Sequence, residues 1–250
     1  MSDSDNQFDL LAQEESDEKE PDESIDQDAA VEYWSTQTAD VTGMLGGYPQ
    51  VSRLDLQASA NFLAKLRRRS KVYKISKKLG RTVDCGAGIG RVTLGFLSKV
   101  ADIVDIVEPV EKFTQQISTG DDFKDLRDQG VLGEVYTIGL QGWKPSTTYD
   151  LIWIQWCLSQ LTDNQAADLL RRICPFVHEG GWIAVKENIT TRSSGKDIYD
   201  ETDSSVTRTD EKLRVLFKEA RLKLVATELQ RGFPKDLYAV RMYALQPEEG

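Results

Sequence analysis

Apolar positions along the chain change period several times, and each change marks an element. Residues 29–34 predict a short helix carrying two adjacent aromatics, Tyr33 and Trp34. Residues 54–69 place Leu56, Phe62, Leu63 and Leu66 at helical spacing, with Arg67, Arg68 and Arg69 in a last turn where cations suit the helix dipole. From residue 81 onward β-type and helical runs alternate. The strand runs are Thr82-Val83 leading to Asp84, then 103–108, 134–139, 150–155 and 182–186. Between them, residues 92–97, 111–117 and 163–173 have helical spacing, the last capped by Thr162-Asp163. A helix over about 210–220 precedes two final strand runs, 223–229 and 238–245, which have no helix between them. Strands interleaved with helices predict an α/β, doubly wound, Rossmann-like sheet. The helix-free last connection predicts a hairpin that leaves the final strand antiparallel.

Charge alters this picture only at one end. The formal net charge is −10, but residues 1–30 hold twelve acids and a single base, Lys19. The remainder therefore carries 41 − 12 = 29 acids against 31 − 1 = 30 bases and is near neutral. Too few apolar groups lie in residues 1–27 to offset the entropy of ordering them, so an acidic disordered tail is expected there. One domain is expected over 28–247, with 28–70 forming a helical cap and lid. Three distant cysteines, Cys85, Cys157 and Cys174, with no C-x-x-C pair, point to a reducing compartment and to no structural zinc. With neither a basic apolar leader nor a run near the ~20 apolar residues that span a bilayer, the expected location is the cytoplasm or the nucleus.

Candidate chemistry gathers where the first strand gives way to a helix. Asp84-Cys85-Gly86-Ala87-Gly88-Ile89-Gly90-Arg91 spaces its glycines as G-x-G-x-G. A dinucleotide fingerprint, G-x-G-x-x-G, would need glycine where Arg91 stands. The spacing present is typical of S-adenosylmethionine (AdoMet) sites in class I methyltransferases; a glycine turn without a ligand is the alternative. Ligands of open parallel sheets bind beyond the carboxyl ends of the strands. That rule selects Gly86, Gly88 and Gly90 for close backbone approach, and Glu108, 22 residues past Gly86, for the ribose hydroxyls. It also selects Leu140 and Gln141 for the adenine, Gln155 beside the reacting centre, and Arg91 for the methionine carboxylate. A solvated strand-end acid and a surface arginine are the plainer readings of Glu108 and Arg91. Upstream, Gly43-Met44-Leu45-Gly46-Gly47-Tyr48 suits a lid as well as an ordinary loop.

These segments, together with Gly139-Leu140-Gln141, Trp153-Ile154-Gln155-Trp156, Lys186-Glu187-Asn188 and Asp203-Ser204-Ser205-Val206, resemble the α-N-terminal protein methyltransferases. That family methylates the terminal amine of proteins beginning X-Pro-Lys once the initiator methionine is gone. The resemblance runs from about residue 31 to 245. It implies that Gly86, Gly88, Arg91, Glu108, Leu140, Gln141 and Gln155 hold AdoMet, with no metal. It further implies that Trp34, Leu45 with neighbouring Gly46, Trp156, Asn188, Asp200, Asp203, Ser205 and Tyr238 line the peptide channel. Trp156 would face the substrate proline, and Trp34 would cover the cationic amine with a cation–π attraction of roughly 0.5–2 kcal/mol. Asp200 and Asp203, three apart, would receive a basic third residue. Two family aspartates are glutamates here, Glu108 and Glu187. A family histidine is replaced by Gln160, and the only histidine, His178, is expected in a surface loop. Asp203 then remains as proton acceptor, with Asn188 and Gln160 orienting the amine. Implied partners are the N-terminal tails of substrate proteins, plausibly ribosomal ones; no nucleic acid, no membrane and a monomeric state are expected. A small-molecule class I methyltransferase and a non-catalytic AdoMet-binding scaffold are the competing readings.

Overall fold

The computed structural model of this protein describes residues 19–191 and 195–248. Its centre is a seven-stranded sheet built from β1 (Leu79–Cys85), β2 (Ala101–Val107), β3 (Leu132–Tyr136), β4 (Tyr149–Gln155), β5 (Val177–Ile189), β8 (Leu222–Leu229) and β9 (Ala239–Pro247). A separate two-stranded hairpin pairs β6 (Ile198–Asp200) with β7 (Ser205–Thr207). The sheet order is β3-β2-β1-β4-β5-β9-β8. All pairings from β3 to β5 are parallel, while β9 runs antiparallel to both its neighbours. The expected antiparallel final strand is therefore present, inserted between β5 and β8.

Side chains alternate across the sheet with period two and give each face its own core. Leu151, Trp153, Trp182 and Ala184 turn to the face covered by α2 (Ser52–Arg69), where Phe62, Leu63 and Leu66 pack. Ile152, Ile154, Ile183 and Val185 turn to the opposite face. That face is covered by Leu169, Leu170 and Ile173 of α3 (Asp163–Ile173) and by Leu213, Leu216 and Phe217 of α4 (Asp210–Glu219). The start of α3 follows from local chemistry. Thr162 and Gln165 form a reciprocal capping box, satisfying N–H groups that the first turn would leave unpaired.

Several boundaries differ from the sequence pattern. β3 begins at Leu132 and ends at Tyr136, because its partners are Val104, Ile106 and Val107 of β2; residues 137–139 leave the sheet. After the glycine turn, Thr93–Leu97 forms a π-helical turn before one α-turn, Ser98–Val100. β5 starts at Val177, so His178 lies in the strand rather than in a loop. There it is half-exposed, its Nδ1 2.8 Å from Asp150 Oδ1 and its Nε2 2.5 Å from Thr148 Oγ1.

The acidic N-terminal region docks earlier than its composition suggests. Residues 1–18 of the expected tail lie outside the described residues, but Pro21–Ser24 forms a 3-10 turn ahead of α1 (Gln27–Thr36). The Asp163 N–H donates to Asp22 Oδ2 at 2.8 Å, the Asp26 N–H to Ser204 Oγ at 2.8 Å, and Gln27 Nε2 to Gln165 Oε1 at 2.6 Å. A residue-by-residue hydropathy sum misses this, since the acids here hold backbone donors rather than bury apolar area. The strand order reverses between β1 and β4, which opens a crevice at their carboxyl ends. The cap of α1, the turn Val41–Met44 and the start of α2 close over it.

Candidate functional site

A cavity of about 340 Å³ fills that crevice, within the range of small-molecule sites. The turn after β1 forms part of its wall. Gly86 has φ +64, and a Cβ there would lie 2.4 Å from Cys157 Cβ; at Gly88, φ +55, it would lie 2.6 Å from Met44 Sδ. A side chain is thus excluded by the positive φ at both positions and at Gly86 also by the close Cys157, and the backbone stays open to a ligand. Glu108 follows β2 directly and is buried. Its Oε2 accepts from the Gly88 N–H at 2.8 Å and its Oε1 from the Val110 N–H at 2.8 Å. Burial pushes its pKa up to about 7, which the two backbone donors only partly offset. Asp84, also buried, accepts from Thr93 Oγ1 at 2.7 Å and is raised to about 6, again by burial. Leu140 and Gln141 line the same cavity.

Arg91 and Gln155 reach the wall already engaged. Arg91 Nη1 is 2.8 Å from Asp55 Oδ2, and its guanidinium carbon lies 5.5 Å from the centroid of the Trp156 ring. Gln155 receives Trp153 Nε1 at 2.9 Å and donates to both Asp55 oxygens at 3.0 Å. Sequence reasoning missed Asp55. It occupies the helical face that carries Phe62 and Leu63, and an apolar stripe conceals a buried acid at its polar end.

The other side of the cavity is lined by Trp34, Leu45, Trp156, Gln160, Asn188, Asp203, Ser205 and Tyr238. Asp203 Oδ1 accepts from Ser205 Oγ at 2.6 Å, and Oδ2 lies 3.5 Å from Gln160 Nε2. Burial raises the Asp203 pKa, and the negative charge of Asp200 adds to the effect. Among the described residues, Gln160 Oε1 and Trp156 Nε1 are buried without a hydrogen-bond partner. Trp156 and Ser204 are non-glycine residues held at φ +55 and +53. Such strain persists only where surrounding contacts enforce it. For Trp156, its N–H donates to Lys186 O at 3.0 Å, and buried Glu187 accepts from the Cys157 and Leu158 N–H groups at 2.9 and 2.8 Å.

Two expected channel residues do not join this wall. Gly46 is exposed, and a Cβ there would meet nothing within 4 Å. Asp200 is exposed at the end of β6, where its Oδ1 accepts from the Thr202 N–H at 2.9 Å. A two-stranded turn carries the pair, so Asp203 points into the cavity and Asp200 stays outside. Sequence reading also missed Gln27, Val31, Cys157, Phe233 and Leu237, all of which line the cavity. Residues 231–236 read only as a hairpin connection, and nothing local distinguishes a loop that folds back over a site. Among the described residues no group of His, Cys, Asp and Glu could hold a metal ion, and no helix is long and apolar enough to cross a membrane.

The open glycine backbone, the buried strand-end carboxyl and the cavity volume fit AdoMet. Comparison with known proteins agrees. Residues 22–246 match the family model of the AdoMet dependent proline di-methyltransferases. The alpha N-terminal protein methyltransferase 1 of Schizosaccharomyces pombe is 45% identical over 221 residues, which cover 87% of this chain and 94% of the relative. The N-terminal Xaa-Pro-Lys N-methyltransferase 1 of Xenopus tropicalis is 36% identical over 219 residues, 87% of this chain and 93% of its own. A solved SAM-dependent methyltransferase from Leishmania major superposes with a TM-score of 0.75 at 32% identity, covering 88% of this chain and 82% of its own. The magnesium protoporphyrin IX methyltransferase of Synechocystis, at 10% identity and a TM-score of 0.58, shares the fold alone. This chain is an AdoMet-dependent enzyme and belongs to the α-N-terminal protein methyltransferases.

Proposed function

We propose that this enzyme methylates the α-amine of proteins whose exposed N-terminus reads X-Pro-Lys or X-Pro-Arg. The observation that carries the reading is one cavity holding a burial-raised carboxyl, Asp203, and an unpartnered buried acceptor, Gln160 Oε1, together with the glycine turn. The Xenopus relative, an N-terminal Xaa-Pro-Lys N-methyltransferase, supports the same substrate class. The family resemblance extends the proposal to ribosomal proteins as substrates; we further propose a monomeric enzyme of the cytoplasm and nucleus, the location from the unpaired cysteines and the lack of a basic apolar leader.

AdoMet, when bound, supplies an electrophilic methyl group on a sulfonium. The glycine turn, Glu108, Leu140 and Gln141 would hold its nucleoside end, and Arg91 and Gln155 its amino-acid end. A protein α-amine has a pKa of about 7.7–8.0, so most of it is protonated at neutral pH and must lose a proton before its lone pair can attack. Asp203 would take that proton. Its raised pKa brings it closer to the amine and makes it a better acceptor than an ordinary aspartate. Gln160 Oε1 would accept an N–H of the amine and fix the direction of the lone pair, and Asn188 would hold the neighbouring amide. Trp156 presents a flat face to the proline ring, and its strained backbone keeps that face toward the cavity.

The test is methyl transfer from radiolabelled AdoMet to an X-Pro-Lys peptide, with mass spectrometry locating the methyl. Label on the α-nitrogen that disappears when the N-terminus is acetylated supports the reading. Label on the lysine side chain, or equal turnover of a peptide lacking proline at position two, overturns it.

A further inference from the structure

The polar cluster beneath the amino-acid end of the cavity contains more than the cavity wall shows. α2 turns Asp55 and Ser59, one helical turn apart, into the core, where both are fully buried. Asp55 then meets two cations: Arg91 Nη1 at 2.8 Å and Lys186 Nζ at 2.5 Å. Lys186, on β5, is also fully buried and donates to Asp55 O and Ser59 Oγ, each at 3.1 Å. The three donors of its ammonium are thereby used. Lys186 and Asp55 do not line the cavity, whereas Arg91 and Gln155 do, and both of these bond to Asp55.

A buried arginine–aspartate pair standing alone would be electrostatically closed, with the guanidinium's charge spent on its partner. Here a second buried cation shares the carboxylate. Arg91 pairs with Asp55 at 2.8 Å through Nη1, and the same atom reaches Ser52 Oγ at 3.4 Å; among the described residues its Nε and Nη2 make no hydrogen bond. Asp84, whose carboxyl Arg91 also acts on, is held by the Thr93 hydroxyl rather than by the guanidinium. Counted together, Arg91 and Lys186 balance Asp55 and Asp84, so what favours a ligand carboxylate is the geometry: Arg91 lines the cavity with Nε and Nη2 making no hydrogen bond among the described residues.

We propose that Lys186 and Asp55 are positioning residues for the methyl donor: Asp55 orients Arg91 and Gln155, and Lys186 holds enough of the Asp55 charge to leave Arg91 able to bind the donor's carboxylate. The proposal rests on the reading that Arg91 faces the amino-acid end of AdoMet. It also ties α2, which packs under the cap, to the occupant of the cavity, because the same carboxylate holds both.

Binding of two probes separates this from a structural role. S-adenosylhomocysteine carries the amino-acid carboxylate; 5′-methylthioadenosine shares the nucleoside but lacks it. By calorimetry, Lys186→Met should weaken S-adenosylhomocysteine on the order of tenfold, less than the loss of a directly contacting charge, and leave 5′-methylthioadenosine within about twofold. Lys186→Gln, which keeps hydrogen-bond donors for Ser59 and Asp55, should show the same selectivity and serves if the methionine variant does not fold. Equal weakening of both ligands, or of neither, overturns the proposal. Arg91→Met is the control for the reading beneath it. If Arg91→Met leaves S-adenosylhomocysteine unaffected, the assignment of Arg91 falls; if it weakens that ligand selectively while neither Lys186 variant does, this inference alone falls.

Discussion

The wall we assign to the methyl donor and the wall we assign to the acceptor, called below the donor side and the acceptor side, are assembled by different means. The donor side draws most of its groups from residues 84–141, at the ends of adjacent parallel strands; Gly86, Glu108 and Leu140 follow β1, β2 and β3 in sequence order. The acceptor side draws on α1, the lid, the turn after β4, the end of β5, the β6–β7 hairpin and the loop before β9. The first arrangement is a property of the fold, since any doubly wound sheet presents strand ends at its switch point. The second draws mainly on segments outside the sheet, which the strand order alone does not place. It follows that donor chemistry is common to distant methyltransferases, while acceptor specificity resides in segments that can vary without disturbing the sheet.

The sharpest way to break this comparison is to remove one charge from the acceptor side. Asp203→Asn should lower turnover of an X-Pro-Lys peptide by ~10²-fold or more, the lower range for losing a general base. Its pH optimum should move upward, because catalysis would then depend on amine already neutral in solution. Affinity for S-adenosylhomocysteine should stay within about twofold. Near-normal kcat at pH 7 under saturating peptide would show that the amine arrives neutral and that the site acts by orientation alone. A large loss of cofactor affinity would instead show that the two sides are not separable.

A donor-side change should do the reverse. Glu108→Ala should cost AdoMet affinity roughly 1–3 kcal/mol, the range for leaving hydrogen-bonding groups unpaired, with little change in peptide KM. The raised pKa adds a pH signature. Glu108 titrates near pH 7 in the free enzyme, and ribose hydroxyls donating to it would favour the ionised form. Affinity should therefore rise as pH climbs toward 7 and level off above it, by at most about tenfold per pH unit, with protons released on binding. The sign is opposite for folding. A carboxyl raised in the native state favours folding below its ordinary pKa of about 4.3, and that contribution is lost as pH rises through 7. Calorimetry in buffers of different ionisation heat measures the released protons. Identical release by Glu108→Gln would assign them to another group, with Asp84 and Glu187 the nearest candidates.

This contrast also explains what the sequence disclosed. Period-two runs and the G-x-G-x-G spacing locate β1, β2, β4 and the donor side, because strand alternation and glycine turns are local consequences of backbone geometry. Leu140 and Gln141 were found even though β3 ends earlier than its hydropathy suggests, since they follow the strand in either register. Asp200 shows the limit. Spacing from Asp203 says nothing about which way a hairpin turns, and the structure leaves Asp200 exposed. Asp55 and Lys186 were illegible for another reason. Asp55 stands in the mixed polar and apolar first turn of α2 and Lys186 at the end of an apolar stretch of β5, where neither reads as buried, and only the tertiary meeting of α2 with β5 pairs them. The acidic segment at residues 22–27 resembles disordered chain by composition, yet its docking rests on a few hydrogen bonds that composition does not register.

The smallest expected effect lies at Gln160, where orientation and proton transfer can be told apart. Its Oε1 is a buried acceptor without a partner, and its Nε2 lies 3.5 Å from Asp203. A glutamine accepts and donates hydrogen bonds but does not take up a proton at neutral pH. Gln160→Leu removes the acceptor and should raise peptide KM by roughly two- to tenfold, the equivalent of one hydrogen bond, with kcat changed less. Gln160→His supplies a titratable group beside Asp203 and should keep or increase turnover, adding a pH dependence near the imidazole's ordinary pKa of ~6.5. Profiles of kcat against pH for the two variants and the parent enzyme decide between roles. If Gln160→Leu lowers kcat as strongly as Asp203→Asn while KM is unmoved, Gln160 takes part in the proton transfer itself. Parallel pH profiles for parent and Gln160→His, with Asp203→Asn alone shifted, would leave Asp203 as the sole proton acceptor and Gln160 as the residue that aims the amine.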